Sequence, residues 1–478
     1  DYFQMIQDND KMCGGFVWEW CDHAINHGIA ENGKTIYAYG GDHGEDIHDS
    51  NFCMDGLVYP DRTVHTGLLE YKNVYRPARV VSYDKESGEL VLHNYMDFDD
   101  LRDYVKISYE LTQDGLVINK GKVSEVSVAP HSEGKTNLKI NVPEKGKCYL
   151  KLIYHLKKEI PLMEKDYILG FDEIEVSQKD AKCQLAKKWL EKTGTNSELQ
   201  VNENDTQIHI KGREFVYTID KRTALFTEMK FAGREYLNHP MELNIWRAPT
   251  DNDMYIKSEW KKAHYDKAYT RAYTTEAVQG KYGVKISSHA SVVAETVQKI
   301  LDVKITWTID DAGKIDADIT ATKDAEFPDL PRFGVRMFLY KKLSEVKYFG
   351  MGPQESYCDK HQAASHGMYQ ANVGDLHEDY ICPQENGSHY DCEYVELNNG
   401  RYGIVASAKN AFSFNASYYT QEELEKKMHN YELTESDSVV FCVDYALNGI
   451  GSNSCGPVVL DQYRFDDVLF RFQFTLIP

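Results

Sequence analysis

The 478-residue sequence contains no C-x-x-C pair, although it holds ten cysteines. They stand singly at positions 13, 21, 53, 148, 183, 358, 382, 392, 442 and 455. That spacing excludes a zinc ribbon and a thioredoxin-type redox motif. Scattered single cysteines in a large chain point to reduced thiols and to a reducing, cytoplasmic compartment. Long apolar runs are missing too. No stretch of eighteen apolar residues occurs, which excludes a membrane-spanning helix. Residue 1 is Asp rather than Met, and no basic-then-apolar leader precedes the first motif, so no targeting signal is readable. Positive charge is scarce. Lys and Arg number 54 against 75 Asp and Glu, for a net charge of −21. Phosphate binding needs clustered cations, so this balance argues against nucleic acid and fits a neutral substrate.

Aromatic residues, in contrast, are plentiful at 12%, with 33 Tyr and 6 Trp. Most read as sheet packing, because aromatic side chains favour strands. A few can serve as platforms for the C–H face of a sugar ring. Three N-x-S/T sites, at Asn204, Asn386 and Asn415, arise readily by chance and are read as carrying no glycan. The length exceeds what one hydrophobic core supports, so several domains are expected.

The first 77 residues have an α/β rhythm. Asp1–Met12 predicts the end of an amphipathic helix, and Gly14-Gly15 breaks it. Phe16-Val17-Trp18-Glu19-Trp20 predicts a short buried strand, with Trp20 inside. A loop rich in Gly, Asp and His follows, from Asn26 to Asn51. Units of this kind place function on loops at the C-terminal ends of strands. From residue 78 the apolar period becomes two. Val105, Ile107, Tyr109 and Leu111 alternate with polar residues, as do Leu150, Leu152, Tyr154 and Leu156. Turn signals such as Asp114-Gly115 separate the runs, which predicts a sandwich of about a hundred residues. Asp180–Lys192 predicts an exposed helix. Beyond it the β pattern continues to the end, through Val303, Ile305, Trp307 and Ile309 and finally Phe470, Phe472, Phe474 and Leu476. Two helical interruptions are expected, at Ser258–Tyr269 and Gln421–Met428.

The chemistry-bearing motifs stand apart from this patterning. Gly14-Gly15-Phe16-Val17-Trp18-Glu19-Trp20-Cys21-Asp22 sets an acid between two Trp. Ala38-Tyr39-Gly40-Gly41-Asp42, Phe52-Cys53-Met54-Asp55-Gly56-Leu57-Val58 and Pro60-Asp61-Arg62 follow. Further on come Arg247-Ala248-Pro249-Thr250-Asp251-Asn252-Asp253, Gly350-Met351-Gly352-Pro353-Gln354-Glu355-Ser356-Tyr357, Pro383-Gln384-Glu385-Asn386-Gly387 and Gly449-Ile450-Gly451-Ser452-Asn453. Asp42, His43, Glu45, Asp46, His48 and Asp49 cluster in one loop. They read as a metal site or as a solvated loop. A flexible segment without a fixed ligand pair favours the solvated loop.

In this order the motifs resemble the C-terminal part of glycoside hydrolase family 2, specifically its long β-galactosidases. The resemblance covers essentially the whole chain and is weak between residues 78 and 240. It implies a mainly β fold in three parts. Residues 1–77 are the C-terminal units of a (β/α)8 TIM barrel, 78–190 an immunoglobulin-like β-sandwich, and 191–478 a large β-sandwich. It implies a retaining hydrolase of terminal β-D-galactosides such as lactose. In that mechanism one Glu attacks the anomeric carbon and another protonates the leaving oxygen, with the carboxyls roughly 5–5.5 Å apart. The family carries both Glu upstream of its Gly-Gly-Phe-Val-Trp motif, so no catalytic residue is expected in this chain. Glu19 is expected to point away from the face that Trp18 presents.

The remaining site residues follow from the same resemblance. Trp18 walls the galactosyl pocket and Asp49 lines it. Phe52 lends its backbone carbonyl to a sodium ion. Asp55, where the best-known members have Asn, contacts that ion and the sugar. An Asp suits a cation but loses the amide donor, which leaves sodium dependence open. Magnesium in the intact enzyme takes ligands upstream. Glu355 sits on a loop that moves in the family, and it reads equally as a surface turn after Pro353. Cys455 replaces an aglycone-stacking Trp, which implies weaker binding at that subsite. The expected partners are a β-galactoside, the N-terminal half of the enzyme and further copies in a homo-oligomer, with neither nucleic acid nor membrane. Two other readings stay open: a non-catalytic carbohydrate-binding or assembly subunit, and a family 2 enzyme with another β-glycoside preference.

Overall fold

The computed structural model describes residues 2–194, 197–451 and 453–478. Asp1 of the expected first helix and Ser452 of the last motif lie outside them. Strands dominate, and helices are few and short. The chain divides into two compact units. One comprises the chain up to His27 with Tyr37–Gln184 and Gln362–Met368; the other comprises Gly28–Ile36, Leu185–His361 and Tyr369–Pro478.

The first unit begins with a helix, Tyr2–Gln7, shorter than the sequence suggests. The expected buried strand at residues 16–20 is not formed. Only Cys21 makes a bridge, parallel to Val58. Trp18 and Trp20 are 82% and 61% exposed. An isolated extended segment with a partner on one edge cannot bury both its faces. Trp20 is therefore a surface residue, which corrects its reading as core. The polar stretch expected as a loop holds a short β-hairpin, Ile25–Ile29 and Thr35–Ala38. A helix, Thr66–Val74, follows.

Two sheets come next in the same unit. The first pairs Ala78–Tyr83, Glu89–Asn94 and Glu133–Asn137; the second pairs Leu116–Lys122, Val105–Gln113, Cys148–Leu156 and Ile168–Glu175. The period-two pattern places Leu150, Leu152, Tyr154 and Leu156 on one buried face. Across the strand pair Ile107 faces Tyr154 and Leu111 faces Leu150. Leu90 and Leu92 of the first sheet share their core. Asp172 accepts hydrogen bonds from Arg76 Nη2 at 2.6 Å, from the Tyr154 hydroxyl and from Val80 N. Phe171 N donates to Asn73 Oδ1 at 2.7 Å. These bonds tie the end of the helix to the sandwich.

The second unit contains a five-stranded sheet, from Gln200–Glu203 to Arg234–Glu235, and a twelve-stranded sheet. Leu301–Asp310 and Ile315–Lys323 alternate as the sequence indicates, with Leu301, Val303, Ile305, Trp307 and Ile309 buried. Register explains the packing. Ala317 stands between Trp307 on one neighbour and Phe474 on the other. The small side chain lets those rings meet edge to face, with centroids 6.3 Å apart. Trp307 Nε1 donates to the Ala224 carbonyl at 2.8 Å, so its polar atom is satisfied in the core. The helical interruptions appear at Ile256–Lys262 and Gln421–Lys426, each within its expected span or two residues of it. Gln184–Leu190 lies inside the expected 180–192.

Charge is also buried in this unit. Arg332 is fully enclosed and binds Asp444 through Nη2, at 2.5 Å, and through Nε. Its Nη1 lies 3.3 Å from Glu385 Oε2. Gly334 makes room for this pair, because a Cβ there would lie 2.4 Å from Asp444 Oδ1. Removing the cation leaves two carboxylates desolvated. Arg332→Met is expected to cost about 3–5 kcal/mol, measured by denaturant unfolding of the purified chain.

Candidate functional site

The residues singled out in the first unit lie along one seam. Glu19 N donates to Asp55 O at 3.2 Å, His23 N to Cys53 O at 2.9 Å, and Val58 N to Trp20 O at 3.0 Å. The segment carrying Trp18 therefore runs beside the segment carrying Asp55. Gly56 permits this approach, since a Cβ there would lie 2.2 Å from Asp22 N. Trp18, Asp49, Phe52 and Asp55 are all exposed. Phe52 closes a turn, its N–H donating to Asp49 O at 3.1 Å.

The electrostatics of this seam are one-sided. The Asp55 carboxyl is pushed above its ordinary value by partial burial, then by the charges of Glu19 and Asp22. Glu19 Oε2 lies 3.1 Å from His23 Nε2. Asp22 is buried and held on both oxygens, by Gly56 N at 2.8 Å and His65 Nε2 at 2.9 Å. Nothing local marks the Asp22–His65 pair, whose members are 43 residues apart. A cation against Asp55 would relieve this repulsion. Among the described residues the Phe52 carbonyl accepts no backbone hydrogen bond outside helices and strands.

The acidic, His-rich loop behaves differently from a metal cage. Asp42 Oδ2 accepts from Tyr39 N at 2.8 Å, and Glu45 accepts from Gly41 N and His43 N at 2.7 and 3.0 Å. His48 Nδ1 accepts from Ser50 N. These groups hold their own loop in shape. Among the described residues no group of three His, Cys, Asp or Glu is placed to hold a metal.

In the second unit four sequence motifs converge. Arg247 is buried and binds Asp253 with Nη2–Oδ1 at 2.7 Å, while its guanidinium also donates to the Asn448 and Gly449 carbonyls. Asn252 Nδ2 donates to Ile450 O at 2.9 Å. Asp359 accepts from Ile450 N at 3.1 Å and Gly451 N at 2.8 Å. Gln384 pairs with both the backbone and the carboxylate of Asp251. The irregular segment 448–451 is thus held by side chains of residues 247–253 and by Asp359. Cys455 follows it and is exposed.

Glu355 is a buried residue rather than a surface turn. Its carboxylate accepts from Lys360 Nζ at 2.6 Å, the Tyr380 hydroxyl at 2.7 Å and Gly387 N at 2.8 Å. Burial alone would raise its pKa, but the Lys360 charge and these hydrogen bonds outweigh it and bring the carboxyl down to about 2. In this conformation both oxygens are occupied by the protein. Lys360, which the sequence reading passed over, is its principal partner. The two sequons at Asn386 and Asn415 are buried, so neither side chain is open to a glycan.

Comparison with known proteins follows this geometry. Residues 211–476 match the family model described as "Beta galactosidase small chain". The chain belongs to the β-galactosidases of glycoside hydrolase family 2. Residues 1–80 match the "Glycosyl hydrolases family 2, TIM barrel domain" and 90–177 the "Beta-galactosidase, domain 4". A β-galactosidase of Actinobacillus pleuropneumoniae is 45% identical over 100% of this chain and 46% of its own length. One from Staphylococcus xylosus is 33% identical over 99% of this chain and 47% of its own. The chain spans about half the length of the curated relatives it matches.

Two outcomes follow from the Glu355 clamp. Lys360→Met should destabilise the chain by about 3–5 kcal/mol at pH 7, because a buried carboxylate loses its cation. A carboxyl depressed in the fold stabilises above its unfolded pKa and loses that contribution as pH falls through the folded value. The melting difference between wild type and variant should therefore be largest near neutrality. It should shrink as the pH is lowered, because the stranded carboxyl, raised by burial, takes up its proton first and the wild-type carboxyl only as the pH nears about 2.

Proposed function

We propose that this chain supplies the C-terminal part of a retaining β-galactosidase acting on terminal β-D-galactosides such as lactose. The observation that carries the reading is the exposed Trp18 on a segment whose backbone is hydrogen-bonded, through Glu19 N, to the carbonyl of Asp55. An apolar ring face next to a polar group is what a pyranose needs, since one side of the sugar is C–H and its rim is hydroxyl. The two catalytic Glu belong to the part upstream. Trp18 and Asp49 wall the galactosyl pocket and Asp55 contacts the sugar rim. Residues 1–77 are the last units of a TIM barrel, 78–190 an immunoglobulin-like sandwich, and 191–478 the large sandwich.

Exposed apolar side chains in the barrel part support this assignment. Phe16, Ile25, Ile47, Tyr2 and Met5 all face solvent, and the N-terminal half would cover them. The scattered single cysteines suit a cytoplasmic setting. Glu355 contributes to the pocket only after its clamp opens, and Cys455 lines the aglycone side. Magnesium belongs to ligands upstream, and the enzyme acts as a homo-oligomer.

Phe52 O and the Asp55 carboxylate would hold a sodium ion, whose charge would balance the Glu19, Asp22 and Asp55 cluster. A carboxyl raised in the fold opposes stability once pH exceeds its folded pKa. Added Na+ at neutral pH is thus expected to raise the melting temperature of the wild type. Asp55→Asn should melt slightly higher without added Na+ and lose the response to it.

Two activity outcomes test the reading. The pure chain is expected to show no hydrolysis of a nitrophenyl β-galactoside, and turnover by it would point to Glu19 or Asp49 as working carboxylates. In the intact enzyme Cys455→Trp is expected to increase transglycosylation to allolactose relative to hydrolysis, read by product chromatography. An unchanged ratio would remove Cys455 from the aglycone side.

A further inference from the structure

The acidic loop contains one juxtaposition that the sugar site does not use, a hydrogen bond between two exposed imidazoles. His27 Nε2 and His43 Nε2 stand 3.0 Å apart. His27 lies on the strand Ile25–Ile29, and His43 lies in the turn between Gly41 and Gly44. The rings are not stacked. Their planes are 73° apart and their centroids 4.9 Å apart, well beyond the nitrogen separation, so the two nitrogen-bearing ends face each other. Both side chains are exposed. His43 also lines a cleft of about 560 Å³ with Asp22, His23, Tyr39 and Glu45.

We propose that His27 and His43 form a two-histidine chelate for a divalent transition-metal ion. Imidazole binds such ions at about 2.0–2.1 Å, so two cis ligands on one ion stand roughly 3 Å apart. The pair already has that separation, and exposed rings need only tilt for both lone pairs to reach one ion. The backbone sets the approach, not the side chains alone. Glu45 accepts from Gly41 N and His43 N, which fixes the turn that carries His43. The strand fixes His27. Among the described residues no third His, Cys, Asp or Glu completes the set, so water fills the remaining positions. Imidazole nitrogen suits Ni2+, Cu2+ and Zn2+, whereas Mg2+ and Na+ prefer oxygen. The site is thus separate in chemistry from the cation proposed at Phe52 and Asp55.

The probe is Ni2+ added to the full chain, because the exposed thiols of Cys13 and Cys455 favour softer ions. Isothermal titration is expected to show one equivalent bound. His27→Gln and His43→Gln should each weaken that binding at least about tenfold, since each removes one of two ligands. The metal-free melting temperature and circular dichroism of both variants should match the wild type, which separates a lost ligand from a lost fold. No binding by the wild type, or equal binding by both variants, would overturn the proposal. The outcome does not depend on galactoside hydrolysis, so it stands or falls apart from the proposed function.

Discussion

Two buried guanidinium groups organise the second unit. Arg247 and Arg332 are both fully enclosed, and each is matched to a carboxylate within it, Asp253 and Asp444. An enclosed cation is tolerated only when its donors are satisfied, so whatever surrounds it is fixed in place. Around Arg247 that means the carbonyls of residues 448 and 449. Around Arg332 it means Glu385, whose carboxyl burial pushes up to about 6 even beside two arginines. Glu385 Oε1 is buried without a partner among the described residues. Irregular loops would ordinarily be the loosest part of a β-sheet structure. Here they are bound to its core by charge.

This explains what the sequence motifs encode. Arg247–Asp253, Gly350–Tyr357, Pro383–Gly387 and Gly449–Asn453 look like separate signatures along the chain. In the fold they are one contact set, joined by Arg247, Asn252, Asp359 and Gln384. Glu355 belongs to the same logic. Its role in this conformation is to tie residues 355, 360, 380 and 387 together. A loop that moves must first release Lys360 and Tyr380 from it.

The strands were legible because burial imposes a period of two, which Leu301–Asp310 keeps throughout and Leu469–Ile477 keeps until Thr475 and Ile477, buried on the other face. The first 77 residues were less legible. Phe16–Trp20 has the composition of a buried strand, yet composition does not supply a second neighbouring strand. The hairpin at 25–38 was hidden by its polar content. Side-chain pairs distant in sequence were invisible altogether. Nothing local links His27 to His43, Asp22 to His65, or Lys360 to Glu355 rather than to solvent. The motif residues, in contrast, were visible through resemblance, and the structure adds what each one touches.

The central claim is that buried Arg–carboxylate pairs hold the loops of the second unit. Hydrogen exchange of wild type and Arg247→Met, followed by mass spectrometry, tests it most directly. The account predicts that residues 448–451 and the neighbouring 350–360 loop lose protection in the variant. The strands Leu301–Asp310 and Ile315–Lys323 should keep theirs. Unchanged protection of residues 448–451 would contradict it.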